Sequence, residues 1–470
     1  MLLNYILLSF RNLKKQRGYS IVNALGLAIG LASALFIFLY VQDELFFDSI
    51  HPQSENTYRL GYRLDFPNGE SEAYPAAPAG WDNYLKDNYE GITEITSFTN
   101  TGMPTSIEYA ALDKIVLSED IIWAESNLNK LVYVDVIKGS PTNPLKELNS
   151  FLLSESAAYE LFGKEDPLNK SVSISHAYMT NGQKVEMMIT GVYKDIPANS
   201  HIRPKYIANI LSLKPFTPEI ETLLTTSMGE GNNNFWTQSF FVTKDESKLP
   251  AIQEDLQKRA NAIIAKFNLQ FKFKPLIRRI TDVHFDQEID WAINHKSADK
   301  KYIAVFITLG ILILIVACIN YINLSTARSA NRAREIGLRK TFGGIRIQLF
   351  TQFMIESFVL VLLSTIIAVF LVIFFIPQFN FLTNKTFSIT YLLNPTTLLV
   401  ILGIIIFVTL LAGSYPALFV SGFEPASVLK GKFAFGKGSN LFRKFLTTVQ
   451  FTVAVTLLTG TVVVVRQMNL

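Results

Sequence analysis

Five apolar runs punctuate this chain, each long enough to cross a bilayer. Residues 21–41, 302–324, 398–420 and 445–465 hold no charge, and residues 349–376 hold one, Glu356. A hydrocarbon core about 30 Å thick needs roughly 20 residues of helix to cross it. The pattern therefore predicts an α-helical integral membrane protein with four to five transmembrane helices. Between the first and second runs the pattern changes. From 42 to 300 the apolar stretches are short and strand-like, as in 131–136 and 185–190, and polar residues fill the gaps. One helix is well marked there: Ser154 can cap it, residues 157–162 continue it, and Gly163 with Pro167 stops it. This predicts a large mixed α/β domain between helices 1 and 2, long enough to bury its own core as two subdomains.

Composition agrees with the pattern. Apolar residues make up 49% of the 470, charged residues 17%, and Phe occurs 36 times, which excludes a disordered chain. The first run is too long for a cleaved signal peptide and has no small-residue cleavage site after it. Cys318 is the single cysteine, so an internal disulfide framework and a cysteine zinc site are both excluded. It reads as a small apolar residue inside a helix.

Charge sets the orientation. Arg11, Lys14, Lys15 and Arg17 precede the first run. Arg328, Arg332, Arg334, Arg339, Lys340 and Arg346 follow the second, against one acid, Glu335. Lys430, Lys432, Lys437, Arg443 and Lys444 follow the fourth, against Glu424. Basic residues collect on the cytoplasmic side of spans, and these three segments alternate as a cytoplasmic N-terminus requires. The expected order is a cytoplasmic amphipathic basic segment (1–20), helix 1 (21–41), a periplasmic domain (42–300) and helix 2 (302–324). A cytoplasmic coupling segment (325–348), helix 3 (349–376), a short external loop (377–397) and helix 4 (398–420) come next. A cytoplasmic basic loop (421–444) and helix 5 (445–465) end the chain, in a bacterial inner membrane. The modest overall basicity is thus a topology signal and gives no reason to expect nucleic acid as a partner.

Leu3, Ile6, Leu7, Phe10 and Leu13 share one helical face. They suit a helix lying in the membrane interface, or else a basic flank with no further role. In the first run Gly26, Gly30 and Ala34 recur every four residues, a stripe that lets two helices approach closely. Asn320 and Asn323 sit late in the second run and Glu356 early in the third. Polar groups there either serve function or pair locally near the interface. Arg328, Arg332, Glu335 and Arg339 fall at helical steps on one face, with a stop expected at Gly343 and Gly344. The segment is either a docking helix for a cytoplasmic partner or a charged turn that enforces topology.

Enzyme signatures fail. Residues 431–438 approach the phosphate-loop pattern, but Gly438 stands where the hydroxyl residue belongs and the short loop leaves no room for an α/β domain. The five histidines, His51, His176, His201, His284 and His295, show no metal-binding spacing and read as ordinary core or surface residues. No nucleophile elbow is present. We expect no enzyme activity in this chain by itself, no catalytic residue, no metal and no bound cofactor.

The segment 332–344 (Arg-Ala-Arg-Glu-Ile-Gly-Leu-Arg-Lys-Thr-Phe-Gly-Gly), with 352–357 (Gln-Phe-Met-Ile-Glu-Ser), resembles the MacB/FtsX-type permease family of ABC transporters. So do 413–417 (Gly-Ser-Tyr-Pro-Ala) and 423–430 (Phe-Glu-Pro-Ala-Ser-Val-Leu-Lys). Residues 153–167 and 190–201 (Thr-Gly-Val-Tyr-Lys-Asp-Ile-Pro-Ala-Asn-Ser-His) resemble the family's periplasmic core domain. The resemblance implies a permease subunit without ATPase activity, served by a separate cytoplasmic ABC ATPase that binds ATP and magnesium. It implies coupling through Arg332, Arg334, Glu335, Gly337, Arg339, Lys340 and Gly343, by mechanotransmission to the periplasmic domain. Export of peptides or antimicrobials, or release of lipoproteins, is the implied work. Membrane lipid, a periplasmic adaptor, and a second permease copy or a missing C-terminal half are the implied partners. The simplest members end after four spans, and larger ones have eight. The fifth run leaves two readings open: the first part of an eight-span protein, or a five-span protein. Two other functions compete: a membrane-anchored sensor whose periplasmic domain binds a ligand or a cell-wall hydrolase, and a membrane enzyme that clusters acids, bases or a nucleophile in the external domain.

Overall fold

A computed structural model describes residues 2–15, 17–225, 236–266, 268, 270–289, 297–342, 345–421 and 437–468. The chain divides into two units. Residues 1–42 with 301–470 form one, and Asp43–Lys300 forms the other.

In the first unit, α1 (Leu2–Lys15) precedes α2 (Arg17–Leu45). Among the described residues five helices are long and apolar enough to cross a membrane: Arg17–Leu45, Lys300–Thr326, Arg346–Thr383, Pro395–Leu418 and Leu441–Val462. Leu27, Leu31, Leu35 and Leu39 give α2 a buried stripe. Cys318, Tyr321, Leu360, Val361, Val372, Val408 and Ala412 complete this core. Nothing in the fifth span's most apolar stretch is buried within the unit. It touches the rest through Phe442, stacked on Tyr415 at 4.4 Å, through Leu446, and through Thr447 beside Asn323.

Among the described residues of the second unit fourteen strands form one mixed sheet. The strands are β1 (Thr57–Asp65), β2 (Ser71–Tyr74), β3 (Ala77–Pro78), β4 (Ile92–Thr99) and β5 (Thr105–Tyr109). Then come β6 (Lys114–Ser118), β7 (Ile121–Ala124), β8 (Val136–Gly139), β9 (Ser150–Ser154) and β10 (Ser171–His176). The last are β11 (Val185–Tyr193), β12 (Tyr206–Asn209), β13 (Trp236–Thr243) and β14 (Lys272–Arg279). The main path is β14-β1-β13-β4-β7-β12-β9-β11-β10-β5-β6. Among the described strands the β9–β11 and β7–β12 pairs run parallel and the rest antiparallel. Helix α3 (Trp81–Asn88) opens this unit's helices. Helix α4 (Glu155–Phe162) covers a core built on Phe151, Leu161 and Ile189, while α5 (Ile220–Thr225) and α6 (Leu249–Lys266) follow. A second core forms where α3 and α6 bury Trp81, Leu85 and Leu256 against Tyr58, Leu60 and Phe241. Each large apolar side chain removed from water contributes about 2 kcal/mol.

Ser154 caps α4, its Oγ accepting the Ala157 N–H at 3.3 Å, and Gly163 closes it at φ +60°. The expected strand at 131–136 does not form, and β8 begins only at Val136. Leu131 and Val132 are both fully buried, which an alternating strand with one wet face does not permit. They instead end a 3₁₀ turn in the core (Leu128–Lys130).

The remaining helices are α7 (Lys300–Thr341), α8 (Arg346–Thr383), α9 (Ile389–Leu392), α10 (Pro395–Ser421) and α11 (Lys437–Met468). The external loop expected from 377 begins later, because α8 continues through Pro377 to Thr383. Asn380 holds that end by bonding both the N–H and the carbonyl of Phe387, and Asn384 stops the helix at φ +53°.

Candidate functional site

Just past α2 the chain makes a run of tight turns. The Ser49 N–H donates to Phe46, that of His51 to Asp48 and that of Ser54 to His51. Asp48 takes a left-handed φ of 57°, which Asp tolerates better than most residues. Its own N–H donates to the Asn199 carbonyl at 2.8 Å. The turn aims a fully buried carboxylate at the 199–203 segment. Asp48 Oδ1 accepts the His201 N–H at 2.8 Å and lies 3.3 Å from His51 Nε2. Asp48 Oδ2 accepts from His201 Nδ1.

The Tyr133 N–H donates to His51 Nδ1 at 3.1 Å. The His51 proton must therefore sit on Nε2, which faces both Asp48 and Ser200 Oγ, the latter at 2.9 Å. Serine, histidine and aspartate thus meet, but not as a catalytic triad. A triad needs the carboxylate on one ring nitrogen and the hydroxyl on the other. Here both share Nε2, the other nitrogen is occupied by backbone, and all three side chains are buried. Burial acts to raise the Asp48 pKa, and the hydrogen bonds from His201 and His51 outweigh it, holding the carboxyl well below the usual range. Burial pushes His201 down, against the opposing pull of Asp48. The arrangement is an ionised carboxylate fixed by neutral donors.

A second group adjoins the first. His284 Nε2 bonds Glu44 Oε2 at 2.5 Å. The Phe47 ring stacks on His284 at 3.8 Å and 3° and lies 4.6 Å from His201. Arg59 lies 3.9 Å from Asp286, which also meets Arg278 at 3.3 Å. Burial lowers the Arg59 pKa to about 10, with Asp286 and Asp48 opposing. Together these contacts tie the segment that follows the first span to the one that precedes the second. Three of the five histidines belong to this network. His176 serves a local turn through Tyr178, Met179 and Thr101, and His295 lies outside the described residues. Among the described residues no three metal-ligating side chains are placed to hold an ion.

In the membrane-type unit the small-residue stripe faces α7. A Cβ on Gly30 would come within 2.6 Å of the Ala317 Cβ, one on Gly26 within 3.0 Å of Asn320 Nδ2, and one on Gly310 within 3.3 Å of Ile37. Ala34 is buried. Asn323 Nδ2 lies 3.5 Å from Thr447 Oγ1 on α11. Glu356 accepts from Asn12 Nδ2 at 2.7 Å and Gln352 Nε2 at 3.3 Å, and so joins α1 to α8. Gly413 lets α10 approach Ser357, whose Oγ bonds the Tyr321 hydroxyl at 2.8 Å.

The backbone of Arg332, Arg334, Glu335, Gly337, Arg339 and Lys340 is helical, all within α7. The expected coupling segment is no separate helix: α7 runs from the second span through these residues without a break. Gly343, with its expected stop, and residues 431–436 of the phosphate-loop-like stretch lie outside the described residues.

The family model of the MacB-like periplasmic core domain matches residues 20–259, and that of the FtsX-like permease C-terminal matches residues 307–425. The chain belongs to the MacB/FtsX-type ABC transporter permease family, as a multi-pass membrane protein with a large mixed α/β extracytoplasmic domain. It is 25% identical over 382 residues to "Uncharacterized ABC transporter permease YknZ" of Bacillus subtilis, covering 78% of this chain and 85% of that protein. It is 22% identical over 283 residues to "Macrolide export ATP-binding/permease protein MacB" of Bdellovibrio bacteriovorus, 59% of this chain and 38% of that protein. Among solved structures, a permease domain from Porphyromonas gingivalis matches at TM-score 0.38 and 16% identity, covering 49% of this chain and 91% of that one. The extracellular domain of YknZ from Gram-positive bacteria matches at 0.31 and 16%, covering 47% and 100%.

Proposed function

We propose that this chain is the membrane subunit of a mechanotransmission transporter, driven by a separate cytoplasmic ATPase. One observation carries the reading. Helix α7 has 42 residues without a break, about 63 Å at 1.5 Å per residue, roughly twice the thickness of a bilayer core. The basic segment from Arg332 to Lys340 is then a stiff extension of the span, and a push at its end moves the span. Arg332, Arg334, Glu335, Arg339 and Lys340 supply the charge that docks the ATPase, and Gly337 and Gly343 let its surface approach. ATP and magnesium sit in that partner, and this chain binds neither.

The N-terminus lies in the cytoplasm of a bacterial inner-membrane protein. Export of peptides or antimicrobials, or release of lipoproteins, is the work that fits an external domain moved from below. A second permease copy or a C-terminal half completes the two-fold assembly, with membrane lipid around it and a periplasmic adaptor above. The test is mild-detergent recovery of the full-length protein from native membranes, with mass spectrometry and an ATPase assay. We expect an ABC ATPase in near-equal amount, lost on Arg339→Glu or Glu335→Lys. Recovery without any ATPase from intact complexes, or coupling unchanged in both variants, overturns the reading in favour of a ligand sensor.

A further inference from the structure

Beside the Asp48 network lies a cleft with about 530 Å³ of empty space, open solvent included. Its core is a cavity of about 30 Å³, room for roughly two waters, or for a carboxylate group. Phe98 and Phe240 line it, stacked at 5.7 Å, with Ile122 beside them. This is the composition of a small-molecule site, an apolar floor with a few polar groups.

The polar groups decide the ligand. Arg59, 3% exposed, lines the cleft, and its NH2 group makes no hydrogen bond. Its nearest carboxylate, Asp286, stands off at 3.9 Å. Arg203 also lines the cleft, and its buried Nε likewise makes no hydrogen bond. Asp48, a third lining residue, is already committed, both oxygens accepting from histidines. Asn100, Gln238 and a second carboxylate, Asp120, also line the cleft, and the charged donors there without a hydrogen bond are on the two guanidinium groups. A buried donor without an acceptor costs about 1–3 kcal/mol, and guanidinium pairs most strongly with carboxylate or phosphate. The small core volume favours the carboxylate.

We propose that this cleft binds a small carboxylate with a short apolar body, its oxygens bridging Arg59 and Arg203 and its apolar part lying on Phe98, Ile122 and Phe240. A peptide C-terminus and a short fatty acid share that chemistry. The site draws on Arg59 from the segment after the first span and on Ile280 and Val283 from the segment before the second, so a bound ligand stiffens the tie between them.

The test is isothermal titration of the full chain in non-ionic detergent, against empty micelles. The probes are hexanoate, N-acetyl-Ala-Leu and N-acetyl-Ala-Leu-amide. We expect saturable binding of at least one acid, with the better acid naming the source, and binding of the amide at least about tenfold weaker. Arg203→Gln, at a half-buried position, should weaken the acid by about tenfold. Arg59→Gln should do so by more, and Arg203→Gln stands alone if Arg59→Gln fails to fold. No saturable binding of either acid, equal binding of acid and amide, or unchanged binding in Arg203→Gln overturns the proposal. The assay contains no ATPase and no nucleotide, so its outcome is separate from that of the transporter reading.

Discussion

The two units hold their distant segments together by opposite means. In Asp43–Lys300 the ties are charged and hydrogen-bonded: Asp48 to His51 and His201, Glu44 to His284. In the helical unit the main tie is the absence of side chain, Gly30 against Ala317 and Gly26 against Asn320. Membrane helices gain little from apolar burial against one another, so close backbone approach must supply the attraction. A water-bathed domain can spend buried charge on specificity, provided each charge is met. Two native probes separate these cases. The described tryptophans, Trp81, Trp123 and Trp236, fall in the sheet unit, and the one cysteine, Cys318, is buried in the helical unit.

The largest effect should come from Asp48→Ala. It strands two buried histidines and a backbone N–H, and should cost about 3–5 kcal/mol. Thermal unfolding followed by tryptophan fluorescence should shift strongly, while Cys318 stays shielded from a thiol reagent. An unmoved tryptophan transition would show that the network is incidental.

Gly30→Leu should act in the opposite unit, at about 1–3 kcal/mol. It should expose Cys318 to maleimide and leave the tryptophan transition in place, and Ala317→Gly should partly rescue it. If both probes move together, the units do not unfold separately and the comparison fails.

The smallest effect concerns pH. Burial, with Asp82 nearby, raises the Glu125 pKa to about 7 from 4.5. The folded state then holds a proton that the unfolded state releases, so stability falls as pH rises between those values. Glu125→Gln should flatten that slope by on the order of 1 kcal/mol, read as the difference in unfolding midpoint between pH 5 and pH 8. His201 works in the other sense: its lowered pKa makes stability fall as pH drops below 6.5. An unchanged slope in Glu125→Gln would show that the carboxyl is solvated.

The helices were legible because their signals are local. Twenty apolar residues, a Ser154 cap and a glycine stripe each lie within a few turns of chain. The polar network was not, because its members stand far apart: Ser200 is 149 residues from His51, and His201 is 153 from Asp48. Judged by spacing, the histidines showed nothing. The one available hint was that His201 closes the stretch 190–201, which resembles the family's external domain. Leu131 and Val132 misled for a related reason. Both are buried in a turn whose backbone serves His51, and period alone cannot see that. The continuity of α7 was hidden because charge marks where a helix leaves hydrocarbon and says nothing of whether it breaks there.

The pairing of Glu44 with His284, 240 residues apart, has an entropic consequence. Bringing the ends of a flexible loop that long together costs about 5 kcal/mol by the logarithmic law, before any contact is made. Here the folded insert closes its own ends. To the two helices it connects, the domain behaves as a short stiff turn, and they can associate as though joined by a hairpin. Domains of very different size could occupy this position at little cost to the helices, so long as each arrives with its ends already fastened.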